Sequence, residues 1–318
     1  MEFRISVIIP VYNVEAFIID CLQSIVAQTM TNGIECILID DCGDDNSMSL
    51  VQDFVDNYKG EIYFTILHHI HNRGLSEARN TGICAAKGSY IYFLDSDDTI
   101  SPECLEEMIR LINKYPSVDM VIGNNDINDI LCCPFGEYTK DPKVIIQNLL
   151  NFNGRAIAAQ RHMVRSEVIR NNHLSFYPGI IHEDNLWTFQ ISSHIHSLAF
   201  SSKDLYHYCT GNQNSIMRNK KSDREILAYR TIIEKACKGI VPNYKGIQKR
   251  YIFNHLQFAI HNGYYEDEKA RCSLVNHFLS ISTLAERMVV KLYFSTEKTM
   301  TKRISQAILL RLYSITDK

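Results

Sequence analysis

The chain has 318 residues, 46% apolar and 22% charged, a balance that can bury a sizeable core as one large domain or one domain with an appendage. Its net charge of −3 argues against a globally basic nucleic-acid binder. No apolar run approaches the ~18 residues of a membrane span, and "MEFRISVIIPVYN" lacks the basic-then-apolar order of a signal peptide. Ten cysteines without a Cys-x-x-Cys pair read as reduced thiols, with Cys21, Cys36 and Cys84 as small core residues, so a cytoplasmic location is expected. The charge is uneven: acids outnumber bases over residues 1–100, and bases predominate from Glu286 to Lys318. An acidic half suits a cation and a basic end suits an anionic surface.

The first hundred residues alternate between two periods. "ISVIIPV" (5–11) is a continuous apolar, β-branched run, predicted as a strand buried on both faces. Residues 14–27 follow at helical spacing. Strands are then predicted at 34–40, 62–67, 89–94 and 118–123. Helices are predicted at 46–58 (capped by Asn46 or Ser47), from Gly74 through Ala86 (closed by Gly88), and from Pro102 to Lys114 (capped by Ser101). This order predicts an α/β fold with a doubly wound, mostly parallel sheet. Residues 1–215 are expected to form this domain. Residues 216–318, with helices at 223–238, 245–262 and 268–290, are expected to form a helical C-terminal region.

Ligands of such sheets sit beyond the carboxyl ends of the strands. There the chain reads "PVYN", "DDCGDDNS", "HHIHNRG" and "DSDD". One acidic turn is explained by a helix cap; two on one rim favour a cation site. In "YIYFLDSDDTIS" (90–101) an apolar strand runs into Asp95, Asp97 and Asp98, which repel one another unless something offsets their charge. Where the chain curls out of the sheet, Asp95 and Asp97 can converge on one point. Mg2+ and Mn2+ suit so small a carboxylate set, because waters and substrate phosphates complete their shell.

"PVYN" (10–13), "DD" (40–41), "NRGLSEARNTG" (72–82), "FLDSDD" (93–98) and "HEDN" (182–185) together resemble the family 2 glycosyltransferases with the GT-A fold, in order and spacing over residues 4–215. The resemblance implies a nucleotide-diphospho-sugar donor (UDP by the family's habit), a Mn2+ or Mg2+ ion, and inversion at the anomeric carbon. It also implies a glycan or lipid-linked saccharide acceptor. By the same resemblance Pro10, Tyr12, Asp41, Asn72, Arg79, Asp95 and Ser96 bind the nucleotide. Tyr12 would lie against the base and Asp41 would accept a hydrogen bond from it. Asp97 would bind the metal directly, with Asp95 contacting ribose or metal-bound water, and Asp184 would be the general base.

Alternatives remain open at this stage. Tyr12 could be a core aromatic, Arg79 could pair within its helix with Glu77 or another neighbour, Asp98 could only cap a turn, and Glu183 could be the base instead of Asp184. Family members often carry arginines where this chain has Cys209 and Thr210, which leaves His207 or Arg218 as candidate replacements. "HHIH" (68–71) has no matching zinc pair, so His69 and His71 are expected at a pocket rim. "DSDDT" (95–99) also satisfies the nucleophile motif of haloacid-dehalogenase-like phosphatases, with Asp95 as nucleophile. A non-catalytic nucleotide-sugar-binding protein is a further alternative. Finally, Ile304, Ile308, Leu312 and Ile315 form a helical stripe among basic residues. Either it packs on the protein, or it makes a peripheral contact with an anionic membrane.

Overall fold

The computed structural model describes residues 3–124, 136–150, 158–209, 211, 223–263, 268–295 and 299–316. The chain divides into two compact units. One comprises Met1–Ile145, Ala158–Gly179 and His194–Ser215; the other comprises Ile146–Ile157, Ile180–Ser193 and Ile216–Lys318.

The first unit is built on one sheet. In chain order its strands are β1 (Ile5–Val11), β2 (Ile34–Asp40), β3 (Tyr63–His68), β4 (Tyr90–Phe93), β5 (Thr99–Ile100), β6 (Met120–Asn124), β7 (Tyr138–Thr139), β8 (His162–Arg165), β9 (Leu198–Asp204) and β10 (Tyr206–His207). Eight of these form a sheet in the order β3-β2-β1-β4-β8-β6-β9-β7, while β5 and β10 make a separate antiparallel ribbon. The pairs β1–β2, β2–β3, β1–β4 and β6–β9 are parallel. β8 runs antiparallel to both β4 and β6, and the edge strand β7 runs antiparallel to β9, so the predicted mostly parallel sheet is present with one reversed strand inside it and one at its edge. All seven residues of β1 are buried, as a strand covered on both faces requires. Each buried Val or Ile there contributes about 1.5–3 kcal/mol relative to exposure.

The connecting helices are α1 (Ile18–Val26), α2 (Ser47–Asn57), α3 (Leu75–Ala85) and α4 (Cys104–Lys114), and two boundary expectations need correction. Asn46 is the N-cap residue of α2 as expected, but its side chain makes no capping bond. Asp45 Oδ1 instead accepts from the Ser47 amide at 2.9 Å, while Ser47 Oγ accepts from the Val14 amide. Gly88 does not close α3, since it has no positive φ. A Cβ there would lie 2.6 Å from the Ser6 amide nitrogen, so this glycine serves the close approach of the chain to β1. α4 begins at Cys104, because Ser101 to Glu103 form a turn closed by the Cys104 amide on the Ser101 carbonyl. Cys21 and Cys36 are buried as expected, but Cys84 is exposed.

Four helices follow α5 (Pro142–Leu149), α6 (Ser166–Asn171), α7 (Glu183–Ser192) and α8 (Asp223–Lys238): α9 (Lys245–His261), α10 (Glu268–Ser280), α11 (Leu284–Ser295) and α12 (Thr299–Thr316). Helices α8 to α12, with α7, give the second unit an apolar cluster that includes Phe189, Tyr229, Ile233, Phe253, Leu256 and Phe278. The single helix predicted over 268–290 is two. Thr283 and Glu286 form a reciprocal cap that starts α11: the Glu286 carboxylate accepts from the Thr283 amide at 2.6 Å and the Glu286 amide donates to Thr283 Oγ1 at 3.3 Å. The same carboxylate is paired at 2.6 Å with Lys249, and both side chains are buried. Removing one partner of such a pair leaves an uncompensated buried charge, at a cost of about 3–5 kcal/mol.

The apolar stripe expected on the last helix is rotated. α12 buries Ser305, Leu309 and Tyr313, and the last two join the cluster, whereas Ile304 and Ile308 are 51% and 44% exposed. α11 likewise buries Val290 and Tyr293 in that cluster and exposes Leu284, Met288 and Leu292.

His255 sits wholly inside the second unit, its Nδ1 3.0 Å from the Tyr251 carbonyl, and burial pushes its pKa down to about 4, with His182 adding to the shift. The folded value lies below the unfolded ~6.5. Its stabilisation is therefore complete above that pH and is lost as pH falls from ~6.5 toward 4. The expected loss is on the order of 3 kcal/mol. Urea unfolding at steps between pH 7 and pH 4 should show this decline, and a His255→Phe variant should show a shallower one.

Candidate active site

Because β3, β2, β1 and β4 are parallel neighbours, their carboxyl ends share one edge of the sheet. Val11 is in register with Asp40, Asp40 with His68, and Ile8 with Phe93. The four polar segments singled out in the sequence therefore meet on one rim.

The first two segments lock together. Asn13 Nδ2 donates to Asp44 at 2.6 Å and its Oδ1 accepts from the Asp44 amide at 2.9 Å, while the Glu15 amide donates to Asp45. Asn13 and Cys42 both take left-handed backbone conformations (φ 51° and 56°), unusual for residues other than glycine and of the kind that gathers at functional sites. Tyr12 is 48% exposed, which removes the reading of it as a core aromatic. Pro10 is buried in β1.

Asp41 is buried, and its carboxylate is fully engaged. Oδ1 accepts from the Arg73 amide at 2.8 Å and faces His69 Nδ1 at 2.6 Å; Oδ2 accepts from Asn72 Nδ2 at 2.9 Å and from the Gly74 amide at 2.8 Å. The structure thus brings Asp41 and Asn72 together directly. Gly74 has φ +86° with open space where a Cβ would go, so backbone conformation and not packing calls for glycine there. His69 lies at the rim but is not exposed there. It is buried between Asp41 and Thr81 Oγ1, which is 2.9 Å from its Nε2, while His68 and His71 are exposed.

At the end of β4 each acid has its own surroundings. Arg79 is buried, donates to Asp95 Oδ1 at 2.7 Å and stacks over the Phe176 ring at 5.1 Å. Arg79 thus pairs outside its helix, with Asp95, while Glu77 pairs with Arg73 at 2.6 Å. Asn80 bonds both the amide and the carbonyl of Phe176, fixing that ring's segment. Asp98 is buried and does more than cap a turn: it accepts from the Tyr206 hydroxyl and, at 2.8 Å, from the Cys209 amide, tying the turn to β10. Burial, with Asp95 adding to it, pushes Asp98 up to about 7. Ser96 is buried, and Asp97 is half-buried. This donor set suits an ion that takes one or two protein carboxylates and completes its shell with water and phosphate, as Mg2+ and Mn2+ do. Asp97 and the second oxygen of Asp95 are the groups that would hold it.

His207 Nε2 lies 2.9 Å from Ser101 Oγ, in the short ribbon that β10 forms with β5. Thr210 and Arg218 lie outside the described residues. Asp184 belongs to the second unit, in the first turn of α7. That helix starts from His182, whose backbone is left-handed (φ 57°), and the Tyr251 hydroxyl donates to the Asn185 carbonyl at 2.8 Å. Glu183 is buried and Asp184 is half-buried, with Oδ1 accepting from the Asn185 amide. Sequence reasoning missed the interior placing of His69, and it missed Thr81, Phe176 and Tyr206 altogether. None belongs to the quoted motifs except Thr81, whose partner lies in another segment.

The sheet, its polar rim and the helices covering it define a GT-A fold. A crystal structure of TarS 1-349 from S. aureus in complex with UDP-GlcNAc superposes with a TM-score of 0.73 at 20% identity, covering 99% of this chain and 90% of that one. The mannosyltransferase PcManGT from Pyrobaculum calidifontis, in complex with GDP-Man and Mn2+, gives 0.60 at 14% identity over 100% and 86%. At those identities the likeness shows the fold alone. The sequence profile of "Glycosyl transferase family 2" matches residues 6–171. EpsH of Bacillus subtilis, named as a glycosyltransferase, is 31% identical over 227 residues, 68% of this chain and 64% of EpsH. The uncharacterized glycosyltransferase YibD of Escherichia coli is 29% identical over 71% of this chain and 67% of YibD. This chain belongs to the family 2 glycosyltransferases. It spans just under two thirds of EpsH.

Proposed function

We propose that the chain transfers a sugar, with inversion, from a UDP-sugar to a hydroxyl of a glycan or lipid-linked saccharide. The observation that carries this reading is the meeting of "PVYN", Asp41, the Asn72–Arg79 segment and Asp95–Asp98 on one rim of the sheet. The UDP-GlcNAc bound to TarS supports the donor class. A poly(ribitol-phosphate) beta-glucosyltransferase from Bacillus spizizenii, 40% identical over 38% of this chain and 19% of its own length, supports a glycan-type acceptor.

Tyr12 offers an exposed ring to the base, and Asn72 lines the nucleotide beside it. Asp184, less buried than Glu183, takes the acceptor proton as the hydroxyl oxygen attacks the anomeric carbon. A single carboxylate on the face opposite the leaving group suffices for inversion. A divalent ion, when bound at Asp97 and Asp95, would offset the charge of the departing diphosphate. Arg79 fixes Asp95 from below, so that carboxylate is already oriented before a ligand arrives.

Asp97→Asn should weaken UDP binding in the presence of Mn2+ at least tenfold, about 1.4 kcal/mol, by titration calorimetry; binding undiminished in EDTA would refute metal dependence. Asp184→Asn should leave UDP binding nearly intact and lower turnover by roughly 10²–10⁴-fold. A variant that keeps most of its turnover would move the proton acceptor elsewhere.

A peripheral membrane contact is favoured by one further observation. Six of the eleven large apolar side chains exposed among the described residues lie on α11 and α12: Leu284, Met288, Leu292, Ile304, Ile308 and Leu310. Exposed apolar clusters of this kind mark interaction surfaces. Both helices bury their opposite arcs in one cluster, so these residues face away from it. Arg287, Lys291, Arg303 and Arg311 are exposed on the same two helices, whereas Glu286, the only acid among their described residues, is buried. Exposed basic and apolar side chains carried together on these helices complement anionic lipid. The chain should co-sediment with phosphatidylglycerol vesicles at low ionic strength and be released by salt. Met288→Ser with Lys291→Glu should cut the bound fraction severalfold, and absence of sedimentation would exclude the contact.

A further inference from the structure

The most completely bonded side chain on the rim is Asp41. Two backbone amides and one side-chain amide of the Asn72–Gly74 turn end on its carboxylate, all at 2.8–2.9 Å. The fourth partner is His69, whose Nδ1 lies 2.6 Å from Oδ1 and whose Nε2 lies 2.9 Å from Thr81 Oγ1. Thr81 lies on α3, the helix that carries Arg79, and the His69 amide donates to the Asp40 carbonyl. A closed circuit therefore runs from the end of β2, through the end of β3, into α3 and back by the turn before that helix.

A carboxylate this buried is stable in its charged form only while donors surround it. With Oδ1 and Oδ2 each facing two donors, Asp41 has little capacity left for a nucleobase. Because the Asp41 carboxylate can only accept, His69 presents its Nδ1 hydrogen to it, and Nε2 is left facing the Thr81 hydroxyl. The sequence carboxylate, imidazole, hydroxyl has the order of a nucleophilic triad. Here His69 is 9% exposed and Asp41 2% exposed, so the chain of bonds is a brace.

We propose that Asp41, His69 and Thr81 are positioning residues that hold the Asn72–Gly74 turn and the start of α3 at the donor rim, and that Asp41 acts through this turn instead of contacting the base. Asn72 is exposed and is the part of the circuit that faces solvent. The brace fixes Asn72 in place and, through α3, supports Arg79 and so Asp95. Donor affinity depends on that pre-arrangement. The inference rests on the reading of this rim as the donor site.

The test separates the two. In the full chain, amide hydrogen exchange resolved at Arg73 and Gly74 reads the brace itself, while UDP binding and the split between KM and kcat read its consequence. His69→Ala should raise exchange at those two amides, weaken UDP binding about tenfold or more, and raise the donor KM with kcat changed far less. His69→Asn keeps an amide N–H near the position of Nδ1 and should recover most of the affinity; Thr81→Val should fall between. Circular dichroism and urea unfolding identify any variant that has merely lost its fold, and there the milder Thr81→Val carries the comparison. Faster exchange at Arg73 and Gly74 with unchanged UDP affinity would overturn the proposal, as would protection unchanged in a folded His69→Ala. If the unaltered chain binds no UDP while the exchange result holds, the donor reading fails and the brace stands.

Discussion

Parallel strands hydrogen-bonded side by side can end at only one edge, and that constraint organises the first unit. β2, β1 and β4 bring their exits together, so every polar group that follows them competes for the same small volume. Acids gathered in this way repel and lose solvation, and the fold answers by giving each a separate partner. Asp41 receives the turn before α3, Asp95 receives Arg79, and Asp98 receives Tyr206 and the Cys209 amide. Those partners come from α3 and from β10 and the residue two places beyond it, so satisfying the acids also ties distant segments to the rim.

Local periodicity made much of this visible in the sequence. The four β-strands and three of the helices around the rim announce themselves by continuous apolar runs and helical spacing, and their polar exits follow from the parallel pairing. Reversed strand β8 was not legible: a four-residue strand carries too little pattern to reveal its direction, and pairing partners 40 and 70 residues away decide it. His69 was misjudged for a related reason. Its neighbours His68 and His71 are exposed, and only the identity of the buried acid on β2's exit turns one of three similar residues inward. The break between α10 and α11 is legible in the sequence, since Thr283 and Glu286 stand at the spacing of a reciprocal cap.

The last helix shows how burial overrides a tidy stripe. Ile304 and Ile308 look like the inward face by spacing alone, yet Leu309 and Tyr313 are the residues that reach the cluster. Tyr313 buries the larger surface, and a rotation of roughly 100° per residue is enough to exchange the two faces. Apolar side chains at successive helical positions leave such a helix two ways to turn, and volume at the packing site selects one.

The three acids of "DSDD" also explain why the phosphatase reading of the same motif is physically unfavourable, apart from family membership. A nucleophilic Asp95 would have to present its carboxylate to a phosphorus centre and carry a covalent phosphoryl group. Its Oδ1 is instead bound at 2.7 Å to a guanidinium that is 2% exposed and stacked on Phe176. Drawing that carboxylate into a covalent bond would weaken the partner of a buried cation, and losing such a partner costs about 3–5 kcal/mol. A residue anchored in this way is suited to orient a ligand, not to attack one.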